Sequence, residues 1–561
     1  MSKYKVLFLG LLASLVTFGT AALADEPAAA PAAAASASAA APPALPGYFS
    51  GANEEGKPPT WPDPTGAASG VWATPAGDGK GDAPSTLGTT DVYDRVAHNL
   101  FSINMMWTLI TGFLVMFMQA GFAMVEVGMC RAKNAAHTVA MNFMIYPLGC
   151  LGFWAYGFAI GWGNWFNGPV APGWYSSLGP GTAVLNSGIT LAGKYEVLGT
   201  KGFFLGSSVG DTAVMALFFF MMVFMDTTAT IPTGAMAERW SWKNFVLYGL
   251  WVSLPYCMYA NWVWGGGFLA QGGLNWHLGH GAVDFAGSGV VHAMGGVIAL
   301  AGGICIGPRI GKYKDGKPQP IPAHHMPMAV IGCFILAFGW FGFNPGSTLS
   351  GTDLRISYVV VNTMLASVAG AFASMLFMMS KKGGKPDPGM MVNGMLAGLV
   401  AITAPCAFVD PWAAVAIGAI AGVLVVVAAV FIENKGVDDP VGAVAVHGVN
   451  GLWGVLSVGI FANGQYGAGW GGVVRDEMVK QYGSDGVRGI LYGDASQLVM
   501  QVIDCVVVAV FGFVMAYVWF KLSDKITPLR VSAEAELEGL DMPEMGAMGY
   551  PDFAPAVKPA E

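Results

Sequence analysis

Two histidines carry the strongest chemical signal in this 561-residue chain. Of its eight histidines, only His292 and His447 fall well inside apolar stretches; His98, His277, His280, His324 and His325 lie in extensions or loops, and His137 lies near a helix start. The two share a pattern: Asp284, seven residues, His292, three residues, Gly296; then Asp439, seven residues, His447, three residues, Gly451. Ionisable groups at membrane depth are costly and face a cavity or one another. Two adjacent imidazoles can share a proton, offer both a donor and an acceptor, and line a narrow path for a small polar solute. A hydrogen-bonded packing pair and a bis-histidine haem site are the competing readings. Haem has little support, with no CxxCH motif, no second histidine pair and little room between Gly-rich helices.

Aromatic residues at helical spacing supply a second signal. Phe220 and Phe224 stand four apart and share a helix face, as do Trp340, Phe343 and Ser347. Trp264 precedes three glycines, which permit close backbone approach. Aromatic faces with one hydroxyl acceptor suit a small cation, each ring contributing roughly 0.5–2 kcal/mol. Asp284, near the outer end of its helix, can stabilise an arriving cation, whereas Asp439 followed by Pro440 reads first as a helix cap.

The elements that must position these residues are membrane helices. The chain is 54% hydrophobic and 11% charged, against about 25% charged in a soluble domain. Residues 1–24 read as a cleavable signal peptide, with Lys3 and Lys5, an apolar run and an Ala22-Leu23-Ala24 site; a first membrane anchor is the alternative. Residues 25–100 form an Ala/Pro/Gly-rich extension expected to be flexible and periplasmic. Eleven apolar segments follow, at about 103–127, 135–162, 210–235, 243–267, 287–306, 326–346, 355–380, 389–408, 412–432, 441–463 and 497–522. The eleven-helix unit is set at 101–525 and a cytoplasmic C-terminal tail at 526–561.

Twelve Lys and Arg residues follow odd-numbered helices and six follow even-numbered ones, which predicts an outside N-terminus and a cytoplasmic C-terminus. The two Asp-His-Gly copies lie in the fifth and tenth segments and therefore cross in opposite directions, as in an inverted 5+5 repeat with its path at the repeat interface. The seven cysteines are scattered singly, so neither a disulfide framework nor a metal site is expected. A net charge of −8 without a basic stripe argues against nucleic acid. No nucleophile and base arrangement supports an enzyme.

The stretches MQAGFAMVEVGMCRAKN (118–134), GAMAERW (234–240), WVWGGG (262–267), DFAGSGVVH (284–292), FGWFGFNPGS (338–347), VDDP (437–440), VHG (446–448) and LRVSAEAELEGLD (529–541) resemble the ammonium transporter family, which includes the rhesus proteins. The resemblance spans roughly residues 103–545. It implies a bacterial inner-membrane homotrimer of eleven-helix subunits, each with one narrow pore, that conducts ammonium without a cofactor. Carried over residue by residue, it implies a recruitment site at Phe220, Phe224, Trp264 and Ser347 supported by Asp284. Phe224 and Phe343 would be the stacked gate, His292 and His447 the pore pair, with Trp340 and Asp439 in support. It also implies methylammonium as an analogue and a trimeric PII-class signal protein as the partner of the tail.

Four features depart from the family pattern, one being the long extension, which has no counterpart in compact members of the family. Met221 stands where glutamine is expected, Pro232 is expected to interrupt the third helix, and Asp226 replaces a small residue there. Either Thr227 and Thr228 satisfy Asp226, or it alters the electrostatics of the pore. The alternative function is an ammonium sensor with little flux; a neutral-gas channel is less favoured because Trp264 and Phe220 suit a cation.

Overall fold

The structure, a computed structural model, describes residues 89–165, 178, 180–381 and 383–551. The expected signal peptide and most of the expected extension lie outside the described residues, as do the last ten residues of the tail. Eleven apolar helices follow in the expected order. They are α1 (Thr89–Met129), α2 (Ala132–Trp162), α3 (Thr212–Ala235), α4 (Trp242–Trp251 continued by Ser253–Val263), α5 (Ser288–Ile306), α6 (Met326–Phe343), α7 (Ile356–Ser380), α8 (Pro388–Ile402), α9 (Pro411–Asn434), α10 (Val444–Phe461) and α11 (Ala495–Ile526). Among the described residues, nine are long and apolar enough to cross a membrane unaided. The other two, α4 and α8, are broken or short. Large apolar side chains such as Phe113, Phe143, Phe334, Phe431 and Val510 face outward, which only lipid or another subunit makes stable.

The differences from the expected boundaries trace to prolines and to tertiary hydrogen bonds. Helix α1 begins at Thr89, inside the expected extension, because residues 89–102 contain neither Pro nor Gly and continue the helix beyond its apolar part. In α4, Pro255 cannot donate to the carbonyl of Trp251, and the helix breaks at Val252. The hydroxyl of Tyr156 donates to the carbonyls of Leu250 (2.5 Å) and Trp251 (3.3 Å) at this break. Helix α8 stops at Ile402 instead of 408: Pro405 disfavours a helical Ala404, and the carbonyls of Thr403 and Ala404 accept from the amides of Ala286 and Phe285 ahead of α5. Pro232, by contrast, does not end α3, which runs on to Ala235. Membrane helices tolerate such a proline where neighbours cover the freed backbone. Between α2 and α3 lies a hairpin that no expectation covered, β1 (Gly188–Leu191) with β2 (Tyr195–Gly199).

The two repeat copies are matched in detail. Both α5 and α10 open with a π-helical turn, at Ser288–Ala293 and Val444–Val449. Amides of Gly287, Ser288, Gly289 and Val290 donate to Asp284 at 2.8–2.9 Å, and those of Gly442 and Val444 to Asp439 at 3.0 and 2.8 Å. The helices cross almost backbone to backbone. A Cβ on Gly296 would stand 2.0 Å from the amide nitrogen of Gly448, and one on Gly451 would stand 2.6 Å from that of Ala293. Gly296 corresponds to Gly451, and Ala293 to Gly448, in the repeat. The contacts are therefore reciprocal, as a pseudo-twofold axis between α5 and α10 requires.

One end of the molecule is tied by buried ion pairs. Arg309 grips Asp438 through Nε and Nη2 at 2.8 and 2.9 Å and reaches Glu238 at 3.2 Å, and Arg131 donates to Glu238 at 2.5 Å. The tail is strapped across the same end. Glu536 pairs with Arg530 at 2.7 Å and accepts from the amide of Ile310 at 2.6 Å, Asp541 accepts from the amide of His137, and the amide of Leu540 donates to Asn134. Burial alone would push the Asp438 carboxyl up, but Arg309 and Arg239 more than offset it and hold it at about 2, against an ordinary 3.8. A depressed carboxyl contributes stability that is complete above its ordinary value and fades as pH falls through its folded value. Asp438→Asn should therefore cost about 3–5 kcal/mol at neutral pH, the usual cost of leaving one partner of a buried pair alone. Thermal unfolding in detergent should also show a smaller acid-induced loss between about pH 4 and pH 2 in the variant than in the unaltered protein.

Candidate functional site

A continuous column of rings runs down the interior from α3 to α10. Phe220 and Phe224, one turn apart on α3, lie 4.7 Å apart between ring centres. Phe224 stacks on Phe343 of α6 at 4.0 Å and 20°, and meets the edge of Trp264, just beyond α4, at 6.0 Å. The stacked contact brings the two rings to van der Waals separation. All four rings are buried. The indole of Trp264 donates to the carbonyl of Asp284 at 2.7 Å, tying the column to the start of α5. Ser347 lies one turn past Phe343, its hydroxyl donating to the Phe343 carbonyl at 2.8 Å; its oxygen keeps acceptor capacity.

Below the stack, His292 lies 5.4 Å from Phe343, stacks on Trp340 at 5.0 Å and 18°, and faces His447. The two Nδ1 atoms are 3.2 Å apart. The indole of Trp340 donates to Thr403 at 2.9 Å, so the ring that supports His292 is itself held by the turn after α8. A neutral imidazole has one donor and one acceptor. If one Nδ1 donates to the other, the first ring must show an acceptor Nε2 and the second an Nε2–H donor. The pair therefore presents one of each on its two Nε2 atoms, and Nε2 of His292 has no protein partner.

The geometry thus gathers Phe220, Phe224, Phe343, Trp264, Trp340, His292 and His447 into one column. Asp284 joins through Trp264, whereas Asp439 caps α10 at the end that carries the ion pairs. Phe122 of α1, 6.1 Å from His447, extends the column beyond the histidines. Nothing in its spacing distinguished it from an ordinary core residue. Asp226 is not satisfied by its neighbours: Thr227 donates to Val223 and Thr228 to Val291, and one oxygen of Asp226 is buried without a partner. It lies two residues beyond Phe224, on the opposite side of α3, towards Tyr146 and Cys150 of α2.

Residues 106–550 match the model of the Ammonium Transporter Family. The chain belongs to the ammonium transporter family. The ammonium transporter Amt2 of Archaeoglobus fulgidus is 44% identical over 457 residues, covering 80% of this chain and 89% of that protein. Among solved structures, a sensor Amt protein is similar at a TM-score of 0.67 and 32% identity, over 80% of this chain and 99% of that one. Mep2 of Candida albicans follows at 0.64 and 26%, over 82% and 93%. The protein is accordingly a multi-pass membrane protein of a family of transporters, not of enzymes.

In this family member, the reciprocal glycine contacts set the distance between the histidines. Gly296→Ala should force α5 and α10 apart and cost about 1–3 kcal/mol, the usual price of overpacking. Gly303→Ala, on the same helix but with a Cβ 3.3 Å from Val437, should cost far less. Thermal unfolding of the two variants side by side checks this.

Proposed function

We propose that the protein carries ammonium inward across a bacterial inner membrane through one pore per subunit of a homotrimer. Phe220, Phe224, Trp264 and Ser347 recruit the ammonium ion on the outer side, with Asp284 adding negative potential from behind Trp264. Ammonium and potassium are similar in size, but only ammonium can lose a proton. A path closed by Phe224 and Phe343 and lined by paired imidazoles favours neutral ammonia, which can accept from one histidine and donate to the other. The proton travels with it or by a separate route. The observation that carries this reading is the 3.2 Å contact between His292 and His447 directly behind the stacked Phe224 and Phe343.

The end with Arg131, Arg239 and Arg309 is the cytoplasmic one by its charge, and the N-terminus is periplasmic. The tail strapped there is a surface on which a PII-class signal protein can act. Methylammonium, bulkier by one methyl, is a weaker analogue substrate. A sensing role with little flux is the second reading, favoured by the likeness to a sensor Amt protein.

In proteoliposomes on a solid-supported membrane, an ammonium jump should give a current or an internal pH change that potassium does not. His292→Ala should reduce it at least about a hundredfold, the low end of what a proton-transferring group contributes. Absence of both signals in the unaltered protein would sink the transport reading and promote the sensor.

A further inference from the structure

Behind Asp284 lies a second buried acid that the ring column does not use. Asp504 sits on α11, fully buried, and accepts one hydrogen bond, from the hydroxyl of Tyr259 on α4 at 2.7 Å. Its other oxygen is buried without a partner. Among the described residues, no basic side chain pairs with it. A buried carboxyl with no counter-charge is expensive, and at membrane depth it marks a proton or ion pathway.

Its neighbour is occupied differently. Asp284 accepts four backbone amides, two on each oxygen, so its lone pairs are filled. Protonating Asp284 would break one of these bonds and loosen the start of α5. Asp504 has an empty site for a proton. Tyr259, which holds Asp504, and Asp284 both flank Gly289: a Cβ there would stand 3.1 Å from the Tyr259 hydroxyl and 3.2 Å from an oxygen of Asp284. The titratable groups that act on Asp504 among the described residues are Tyr259 on α4, Asp284 ahead of α5 and Cys505 on its own helix. Tyr256 and Cys406 are within reach of the Asp284 charge.

We propose that Asp504, reached through Tyr259, is a proton-accepting residue of the transport cycle that takes up the proton ammonium loses beside Asp284. This rests on the transport reading above. In the step, an N–H bond of ammonium breaks and its proton passes to the Tyr259 oxygen. The phenol releases its own proton to the Asp504 carboxylate. Ammonia, an unchanged phenol and a neutral carboxylic acid result, and the ammonium charge cancels that of Asp504. Asp284 stays ionised throughout, supplying potential, and Asp504 holds the proton.

The test is infrared difference spectroscopy of the full-length protein in liposomes, exchanging potassium for ammonium, with transport measured on the same preparation. The unaltered protein should gain the carbonyl band of a protonated carboxylic acid. That band should vanish in Asp504→Asn, shift in Tyr259→Phe and return in part in Asp504→Glu. Uptake should fall at least about a hundredfold in Asp504→Asn. An undiminished band in Asp504→Asn, or no band in the unaltered protein, overturns the proposal. A band that depends on Asp504 in a protein without flux would sink the transport reading while supporting Asp504 as the proton acceptor. Should Asp504→Asn fail to fold, Tyr259→Phe and Asp504→Glu carry the same test, and a band unmoved in both overturns it.

Discussion

The contact between His292 and His447 depends on two helices approaching more closely than side chains permit. Gly296 against Gly448, and Gly451 against Ala293, bring α5 and α10 within backbone distance at the pseudo-twofold axis. Only there can two short imidazole side chains, one from each half, meet at Nδ1. The π-helical turn at the start of each helix adds a residue to the winding and turns the histidine inward. Asp284 and Asp439 then collect the amides that each turn leaves without helical partners.

The surrounding structure serves that crossing. With little water in the bilayer core, every backbone polar group needs a partner inside the protein, and two of the irregular places in these helices show theirs. Tyr156 covers the break in α4, and the turn after α8 pairs with the loop entering α5 while its Thr403 holds Trp340. Trp340 in turn supports His292. At the charged end, Arg309 joins the segment after α5 to the segment before α10 through Asp438, so the two halves are pinned on either side of the repeat axis.

Much of this was legible in the sequence because membrane helices obey short-range rules. Runs of about 20 apolar residues announced nearly every helix, and the Asp-His-Gly pattern announced the axis because both copies must satisfy the same geometry. What was not legible depended on partners distant in the chain. The break at Val252 follows from Pro255, but its tolerance depends on Tyr156, almost one hundred residues earlier. Asp226 looked satisfiable by adjacent threonines, yet those hydroxyls turn to backbone carbonyls instead. Tyr259 and Asp504 stand 245 residues apart with no shared pattern, and only the packing of α4 against α11 brings them together. The tail read as an acidic, polar cytoplasmic segment, and its docking rests on the burial of Leu529 and Leu540, which its own sequence does not announce.

The proposed transport requires a tight histidine pair behind a closed aromatic stack. A high-resolution electron cryomicroscopy structure of the full-length protein in lipid nanodiscs with ammonium tests it most directly. The account predicts Nδ1 atoms of His292 and His447 in hydrogen-bond contact, near the 3.2 Å found here, with Phe224 and Phe343 stacked above them. Histidine rings held apart by a continuous file of water running past Phe343 would contradict it, because such a path would pass hydrated potassium as readily as ammonium.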